Sequence, residues 1–281
     1  MLQRFLDNHY TSYFTSGRPP TLVYICNVAA ESSQMPRIMH EHDSLVEILL
    51  VYEGAGLYII DQERYTAQKG DLILYDAHSV HDEFGGQGKQ LATYCVGLRD
   101  LHLKGLPADK ILPQGCVPVL ATGDEFPALL TLFHLIENEV QRKTGAEVAN
   151  LLARALALKV YQLLTHKGVL YETKPFTLAQ QIRIYLDQHY KDPLRLADIA
   201  EALHANPYYC AHVFKTATGF SPMQYVTQRR LGEAQNLLIN TQRSITEIAT
   251  QVGYNNSNYF QNVFRRLLAM TPGAYRKKWT T

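Results

Sequence analysis

The chain has 281 residues, 46% hydrophobic and 19% charged, with four cysteines and a formal net charge of +1. The length admits two domains, each with its own core. The best apolar run, 151–164, is interrupted by Arg154 and Lys159, so it does not read as a membrane span. Residues 1–14 lack the apolar segment and small-residue cleavage site of a secretion signal. Cys26, Cys95, Cys116 and Cys210 are scattered, with no metal or redox spacing. That fits a reduced, cytoplasmic protein whose thiols are inert, the other reading being a redox sensor at Cys95 or Cys116.

The charge is unevenly spread. Residues 1–176 carry 15 Lys and Arg against 20 Asp and Glu, whereas residues 177–281 carry 12 against 6. A basic half beside an acidic half points to a polyanion partner for the basic one. Solvated surface charge gives an excess of this size as well, so the assignment rests on the pattern that follows.

In chain order, 21–28, 45–53, 57–61, 71–75 and 91–98 are rich in Val, Ile, Leu and Tyr and read as strands. Turn signals separate them at Gly54-Ala55-Gly56, Lys69-Gly70-Asp71 and Gly85-Gly86-Gln87-Gly88. Many short strands at close spacing predict a small β-barrel or sandwich. Residues 100–122 are punctuated by Pro and Gly and read as irregular.

Two helices are predicted next. One, 125–142, carries Leu129, Leu132, Phe133 and Ile136; the other, 146–166, carries Val148, Leu151, Leu152, Ala155, Leu158 and Leu163. They either cover one face of the barrel or form a dimer seam. The polar stretch 167–176 reads as a linker between a domain at 1–166 and one at 177–281.

The second half contains a repeat. Ile199-Ala200 returns as Ile248-Ala249, 49 residues on, and Phe214, Pro222 and Tyr225 return as Phe264, Pro272 and Tyr275, 50 residues on. A period of this length marks a duplicated supersecondary unit. Each copy reads as helix, tight turn, helix, then a Ser/Thr-Pro stop, which is helix-turn-helix grammar. In the first copy, 196–203 is the positioning helix, opened by Asp192-Pro193, and Asn206 caps a second helix with Pro207 in its first turn. Val213, Phe214 and Ala217 are spaced to face inward, and Tyr208, Ala211, His212 and Lys215 outward. In the second copy, Ser244 and Glu247 form a capping box for 245–252, and Gly253 makes the turn. Tyr259, Phe260, Val263 and Phe264 then face inward, leaving Ser257, Asn258, Gln261, Asn262 and Arg265 outside. Amides at such positions can bond adenine bidentately in the major groove, and cations beside them can hold phosphates. The helix 223–240 between the copies buries Leu231, Ala234, Leu237 and Leu238 and holds the two reading helices about one turn of B-DNA apart, on the order of 34 Å.

Ile245-Thr246-Glu247-Ile248-Ala249, Val252-Gly253-Tyr254, Asn258-Tyr259-Phe260, Val263-Phe264-Arg265 and Thr271-Pro272-Gly273-Ala274-Tyr275-Arg276 together resemble the signature of AraC/XylS-family transcription regulators. Arg229-Arg230-Leu231 with Ala234 and Leu237-Leu238 resembles that family's linker helix. The resemblance covers about residues 177–278 and implies seven helices and two helix-turn-helix units on one bipartite site. It places base contacts at Tyr208, Ala211 and His212, then at Ser257, Asn258, Gln261 and Asn262. Ala211 and His212 depart from the longer polar or Arg side chains common there, so the second copy is expected to dominate sequence choice.

In the acidic half, His40-x-His42 is followed by Glu47, Gly54, Gly70-Asp71 and His81. On a strand, His40 and His42 share a face. Three His and one Glu suit Zn, Fe or Mn. The arrangement is similar to the two cupin motifs, which implies a cupin-like sensor barrel with metal-ligand positions at His40, His42, Glu47 and His81. The second motif departs from the pattern at Asp76, His78 and Gly85. Three readings stay open for these residues: structural barrel lining, hydrogen bonding to a small effector, or a bound metal. Tyr24, Tyr58 and Tyr94 are candidates for a stacking wall.

The sequence therefore predicts an α+β chain of two domains: an N-terminal cupin-like β-barrel with two helices and an all-α C-terminal domain with two helix-turn-helix units. Its expected function is that of a sequence-specific transcription regulator, not an enzyme, controlled by a small polar effector such as a sugar. Double-stranded promoter DNA, the effector, a second copy of the chain and RNA polymerase are the expected partners, and no cofactor is called for. The alternative is a metal-dependent cupin enzyme or a metal-sensing regulator.

Overall fold

The computed structural model describes residues 11–280 apart from 16, 18, 30–36, 62, 85–90, 114 and 167–176. Most of the segment read for a secretion signal, the glycine turn at 85–88 and the linker lie outside the described residues.

Among the described residues, nine strands form two antiparallel sheets. One has the order β1 (Thr21–Val28), β8 (Ala92–Arg99), β3 (Leu45–Glu53), β6 (Asp71–Tyr75) and β9 (Val119–Ala121). The other has the order β2 (Arg37–His40), β7 (His81–Phe84), β4 (Ala55–Ile60) and β5 (Glu63–Gln68). The five apolar runs of the sequence are all strands. β2, β5, β7 and β9 were not anticipated: β2, β7 and β9 are short, and β5, Glu-Arg-Tyr-Thr-Ala-Gln, is mostly polar.

The five-stranded sheet is covered on both faces, and the period of two sorts its residues. Val46, Ile48 and Leu50 of β3, Leu72 and Leu74 of β6, and Tyr94, Val96 and Leu98 of β8 pack on the helix side. Leu49, Val51, Ile73, Tyr75 and Cys95 face the interior between the sheets, with Tyr58 and Ile60 opposite. Tyr94 thus points away from the interior, whereas Tyr58 is buried inside it. The helix layer is α1 (Phe126–Val140) and α2 (Ala146–His166). Leu129, Phe133 and Ile136 of α1 meet Ala153, Leu156, Ala157, Val160 and Leu164 of α2 over the sheet. Barrel covering is therefore realised. The inward stripe of α2 differs from the expected one: Val148 and Leu151 (55% exposed) lie outside. α2 is apolar around much of its circumference, and the small Ala149, Ala153 and Ala157 take the closely packed side.

The C-terminal half contains seven helices among the described residues: α3 (Leu178–His189), α4 (Leu196–Ala202), α5 (Pro207–Thr218), α6 (Pro222–Asn240), α7 (Ile245–Gln251), α8 (Ser257–Leu268) and α9 (Pro272–Trp279). The caps are those the sequence suggests. Asn206 accepts from the Tyr208 and Tyr209 amides, and Ser244 and Glu247 form a reciprocal box. Ser221 and Thr271, stops by the sequence pattern, cap α6 and α9, which like α5 begin with proline. α4 has Arg195 at its N-cap position, donating from its backbone and guanidinium N–H groups to the Asp198 carboxylate, rather than being opened by Asp192-Pro193.

The two copies make the same turn with different residues. His204 has φ 51° and Gly253 has φ 91°, and in each copy the following amide bonds back, Ala205 to Ala200 and Tyr254 to Ala249. A Cβ at Gly253 would lie 2.5 Å from the Lys191 carbonyl oxygen. Gly253→Ala is therefore expected to destabilise the protein by roughly 1–3 kcal/mol, from backbone strain alone, and more if the backbone cannot shift. Urea unfolding of the full chain measures it, and an unchanged midpoint would refute the steric account.

Candidate nucleic-acid interface and sensor pocket

The apolar positions of α5 and α8 fix which sides remain free. α8 buries Phe260, Val263, Phe264 and Leu268, a stripe at helical spacing. Asn258, Asn262 and Arg265 are exposed, and Ser257 and Gln261 are partly covered. α5 buries Cys210, Phe214 and Thr218, leaving Tyr208 (84% exposed), His212 and Lys215 outside and Ala211 partly covered. Two expectations are corrected. Tyr259 is 61% exposed and Ala217 is exposed, not inward. Tyr259 sits one residue, about 100° of helix rotation, before the buried Phe260, and Ala217 likewise sits beside the buried Thr218. Exposed Tyr209 and Arg266 were missed; the repeat gives a signal for Tyr209, which matches Tyr259 at a spacing of 50.

α6 joins the two units. Its 19 residues span about 28 Å, and Leu231, Ala234, Leu237 and Leu238 pack in the core of the second unit. Its first half belongs to the first unit, through Tyr225 and Val226.

At one end of the barrel, His40, His42, Glu47 and His81 converge, one ligand-type atom from each lying within 4.8 Å of the others. Alternation on β3 explains Glu47: its neighbours Val46 and Ile48 face the helices, so Glu47 faces inward, 1% exposed. The His42 and His81 Nε2 atoms lie 3.4 and 3.0 Å from its carboxylate. The Tyr24 hydroxyl donates to the same carboxylate. His81 Nδ1 lies 3.0 Å from the Ser79 carbonyl, and its ring stacks on Tyr75 at 3.9 Å. A carbonyl can only accept, so Nδ1 carries the proton and Nε2 is turned to the cluster. Three imidazoles and a carboxylate, with one imidazole oriented from behind by a backbone carbonyl, are a donor set that fits a divalent transition ion. Asp76, which stands where the cupin motif has proline, accepts from the Ile111 and Leu112 amides and so ties down a loop. Burial raises the thiol pKa of Cys116 and Cys210, as befits unreactive cysteines.

The cluster end of the barrel faces α6. Met39 and Val80 of the barrel lie in the same apolar cluster as Ile182, Leu186 and Tyr190 of α3 and its C-cap. Glu41 pairs with Arg229 of α6 at 2.5 Å, and Arg229 also bonds Asp187 at 3.0 Å and stacks over Tyr190. Arg183 pairs with Asp61 of the barrel at 2.8 Å. Burial raises the carboxyl pKa of Glu41 and Asp187 in spite of the cations beside them. Burial works against the Arg229 charge too, but Asp187, Tyr225 and Glu41 outweigh it and keep the guanidinium ionised. A cavity of about 200 Å³ opens between the barrel and α6, with Tyr24, His40 and His42 on one side and Gly232, Asn236 and Ile239 on the other.

Comparison with known proteins agrees with this architecture. The family described as AraC-like ligand binding domain matches residues 23–157, and the family described as Helix-turn-helix domain matches residues 199–278. The chain is 26% identical over 284 residues to the uncharacterized HTH-type transcriptional regulator YdiP of Escherichia coli (strain K12), covering 99% of this chain and 93% of that protein. It is 25% identical over 276 residues to the HTH-type transcriptional activator RhaS of Enterobacter sp. (strain 638), covering 96% of each. The solved C-terminal domain of the response regulator yesN from Fusobacterium nucleatum is 32% identical, covering 34% of this chain and 93% of that one, with a TM-score of 0.33. The chain belongs to the AraC-type family of DNA-binding transcription regulators: it joins a ligand-binding domain to a helix-turn-helix domain, and it is a regulator, not an enzyme. No helix among the described residues is long and apolar enough to cross a membrane.

Proposed function

We propose that residues 1–166 sense a small polar effector, that 177–281 read promoter DNA, and that 167–176 link the two. Base contacts are assigned to Tyr208, Ala211 and His212 of α5 and to Ser257, Asn258, Gln261 and Asn262 of α8. Lys215 and Arg265, at the same position of the two copies, hold phosphates. The support is that the reading positions survive on the outer sides of two helices borne by one continuous α6. DNase footprinting of the full chain on the DNA upstream of its own gene is expected to give two protected stretches about one helical turn apart. Protection without any sequence preference would overturn the assignment.

The effector is assigned to the barrel end that holds His40, His42, Glu47 and His81. The observation that carries this is the gathering of four polar, mostly buried side chains where the barrel meets α6. An occupant there acts on DNA binding only by favouring one arrangement of the halves. A second reading is favoured by the close approach of the donor atoms: the same four residues hold a divalent ion. Elemental analysis of the purified protein separates the two.

Self-association is assigned to the outer side of α1 and α2, where Leu135, Val140, Val148 and Leu151 are exposed. Two copies would place two DNA modules on repeated half-sites. The relatives named as activators favour activation; contact with RNA polymerase and a place in the cytoplasm belong to the same proposal.

A further inference from the structure

The fold brings together two cysteines that lie far apart in the chain. In the antiparallel register of β1 and β8, Cys26 stands directly opposite Cys95. Residues directly opposite in such a pair share a face of the sheet, and both side chains here belong to the apolar cluster between the sheets. Opposite Cα atoms lie about 4.5–5.5 Å apart, inside the window of about 4.4–6.8 Å that a disulfide spans. Their Cβ atoms lie about 4.5–5.5 Å apart, so bringing them to about 3.5–4.5 Å takes a shift of about 1 Å. β1 is placed to make that shift. Among the described residues it is an edge strand, paired only with β8, and its register is already irregular between Leu22 and Tyr24.

The two thiols differ in access. Cys26 is half-buried and lines the cavity between the barrel and α6, whereas Cys95 is 6% exposed. An oxidant small enough to enter that cavity reaches Cys26 first, with Cys95 behind it as the resolving sulfur. The other two cysteines have no such place: Cys210 lies in the core of the first helix-turn-helix unit, and Cys116 lies outside the strands.

Both cysteines adjoin the polar cluster. The Cys95 thiol donates to the Glu47 carboxylate at 3.8 Å. Tyr24, two residues before Cys26 and on the same face, donates to that carboxylate too. Gly97 makes room for the tyrosine ring, since a Cβ there would lie 2.5 Å from it. A movement of β1 against β8 therefore moves Tyr24 on Glu47. Tyr24 and Cys26 line the cavity together with Gly232 and Gln235 of α6, so the movement is felt where the two halves meet.

We propose that Cys26 and Cys95 are a redox pair, and that their oxidation by a small hydroperoxide is an input to the sensor domain. In the first step the Cys26 sulfur attacks the peroxide. An S–O bond forms, the O–O bond breaks, and with hydrogen peroxide the products are a sulfenic acid and water. In the second step the Cys95 sulfur attacks the Cys26 sulfur. The S–S bond forms, the S–O bond breaks, and hydroxide leaves with the Cys95 proton as a second water. Two thiols give up two electrons and two protons, and one peroxide takes them. Exchange with a small thiol reverses the bond. The effect on DNA rests on the regulator reading, whereas the pair itself does not.

The test treats the reduced full chain with hydrogen peroxide in stoichiometric steps. Two of the four thiols are expected to disappear, with the mass lowered by two hydrogens and a Cys26–Cys95 peptide in a non-reducing digest. Dithiothreitol is expected to restore them. Cys95→Ala should leave a sulfenic acid at Cys26 that dimedone labels, Cys26→Ser should give neither disulfide nor label, and Cys116→Ser should behave as wild type. Circular dichroism checks folding, and the wild-type peptide map decides the matter if Cys95→Ala does not fold. Oxidation is expected to change the affinity for footprinted DNA about fivefold or more in wild type and Cys116→Ser, and to leave it unchanged in Cys26→Ser. Thiols lost through Cys116 or Cys210, a disulfide between two chains, or no loss at all would overturn the pair. A Cys26–Cys95 disulfide with unchanged DNA affinity would overturn its role as an input. A specific footprint from the reduced chain leaves the regulator reading standing in either case.

Discussion

Replacing Arg229 with alanine is expected to lower the stability of the full chain by about 3–5 kcal/mol. Arg229 is only 1% exposed, and it is the shared cation of Glu41 from the barrel and Asp187 from α3. Without it, two largely covered carboxylates face each other, with Arg183 as the remaining cation beside Asp187 at 3.5 Å. The hydroxyl of Tyr225, which donates to Asp187, and the ring of Tyr190 lose their neighbour too. Glu41→Gln is the informative comparison. It removes the barrel's charge from the network but leaves Arg229 paired with Asp187 inside the DNA-binding half. Its stability cost should be smaller, while hydrogen exchange along α6 and β2 should quicken as the halves separate more readily. Urea unfolding measures the first effect. A loss below about 1 kcal/mol for Arg229→Ala would mean that the network is no more than a surface ion pair in energetic terms.

The second large effect is on sequence choice. Asn262→Ala is expected to lose about 1–3 kcal/mol of discrimination at the bases it reads, against a smaller loss for His212→Ala. The two residues occupy the same position of the two copies, 50 apart, and both are exposed. An amide can bond adenine through two atoms at once, whereas Ala211 beside His212 offers no hydrogen-bonding side chain. Both copies expose a tyrosine, Tyr209 and Tyr259, but where the second has Asn258 the first has Tyr208, which carries no amide. Competition binding with single base-pair changes across both half-sites measures the ranking, and the reverse order would assign sequence choice to the first copy.

The C-terminal half was read most closely because its features are local. Capping residues, a turn glycine and a 3.6-residue apolar stripe act over a few positions, and the caps and the stripe are written twice in the chain. The errors there fall at the stripe's edges. Tyr259 and Ala217 are near enough in angle to the buried positions that spacing alone did not separate them. In the barrel half the long apolar strands were legible, but β2 and β7 were not, although they carry His40 and His81. A strand of four residues has too few alternations to be recognised, and its existence depends on the partner it pairs with, here His40 opposite His81.

The sequence by itself determined that the helix-turn-helix unit is written twice, most of the residues that its second helices leave outside, and that His40, His42, Glu47 and His81 form a candidate set. The helical positions follow from spacing, since a 3.6-residue period fixes direction along one element; the candidate set follows from its residue types and its resemblance to the cupin motifs. Only the tertiary structure decided that Glu41 meets Arg229 across 188 positions, that the histidine cluster opens toward α6, and that a cavity with walls from both halves lies between them. Contacts between distant segments are set by how whole faces pack against one another, and no local period encodes that.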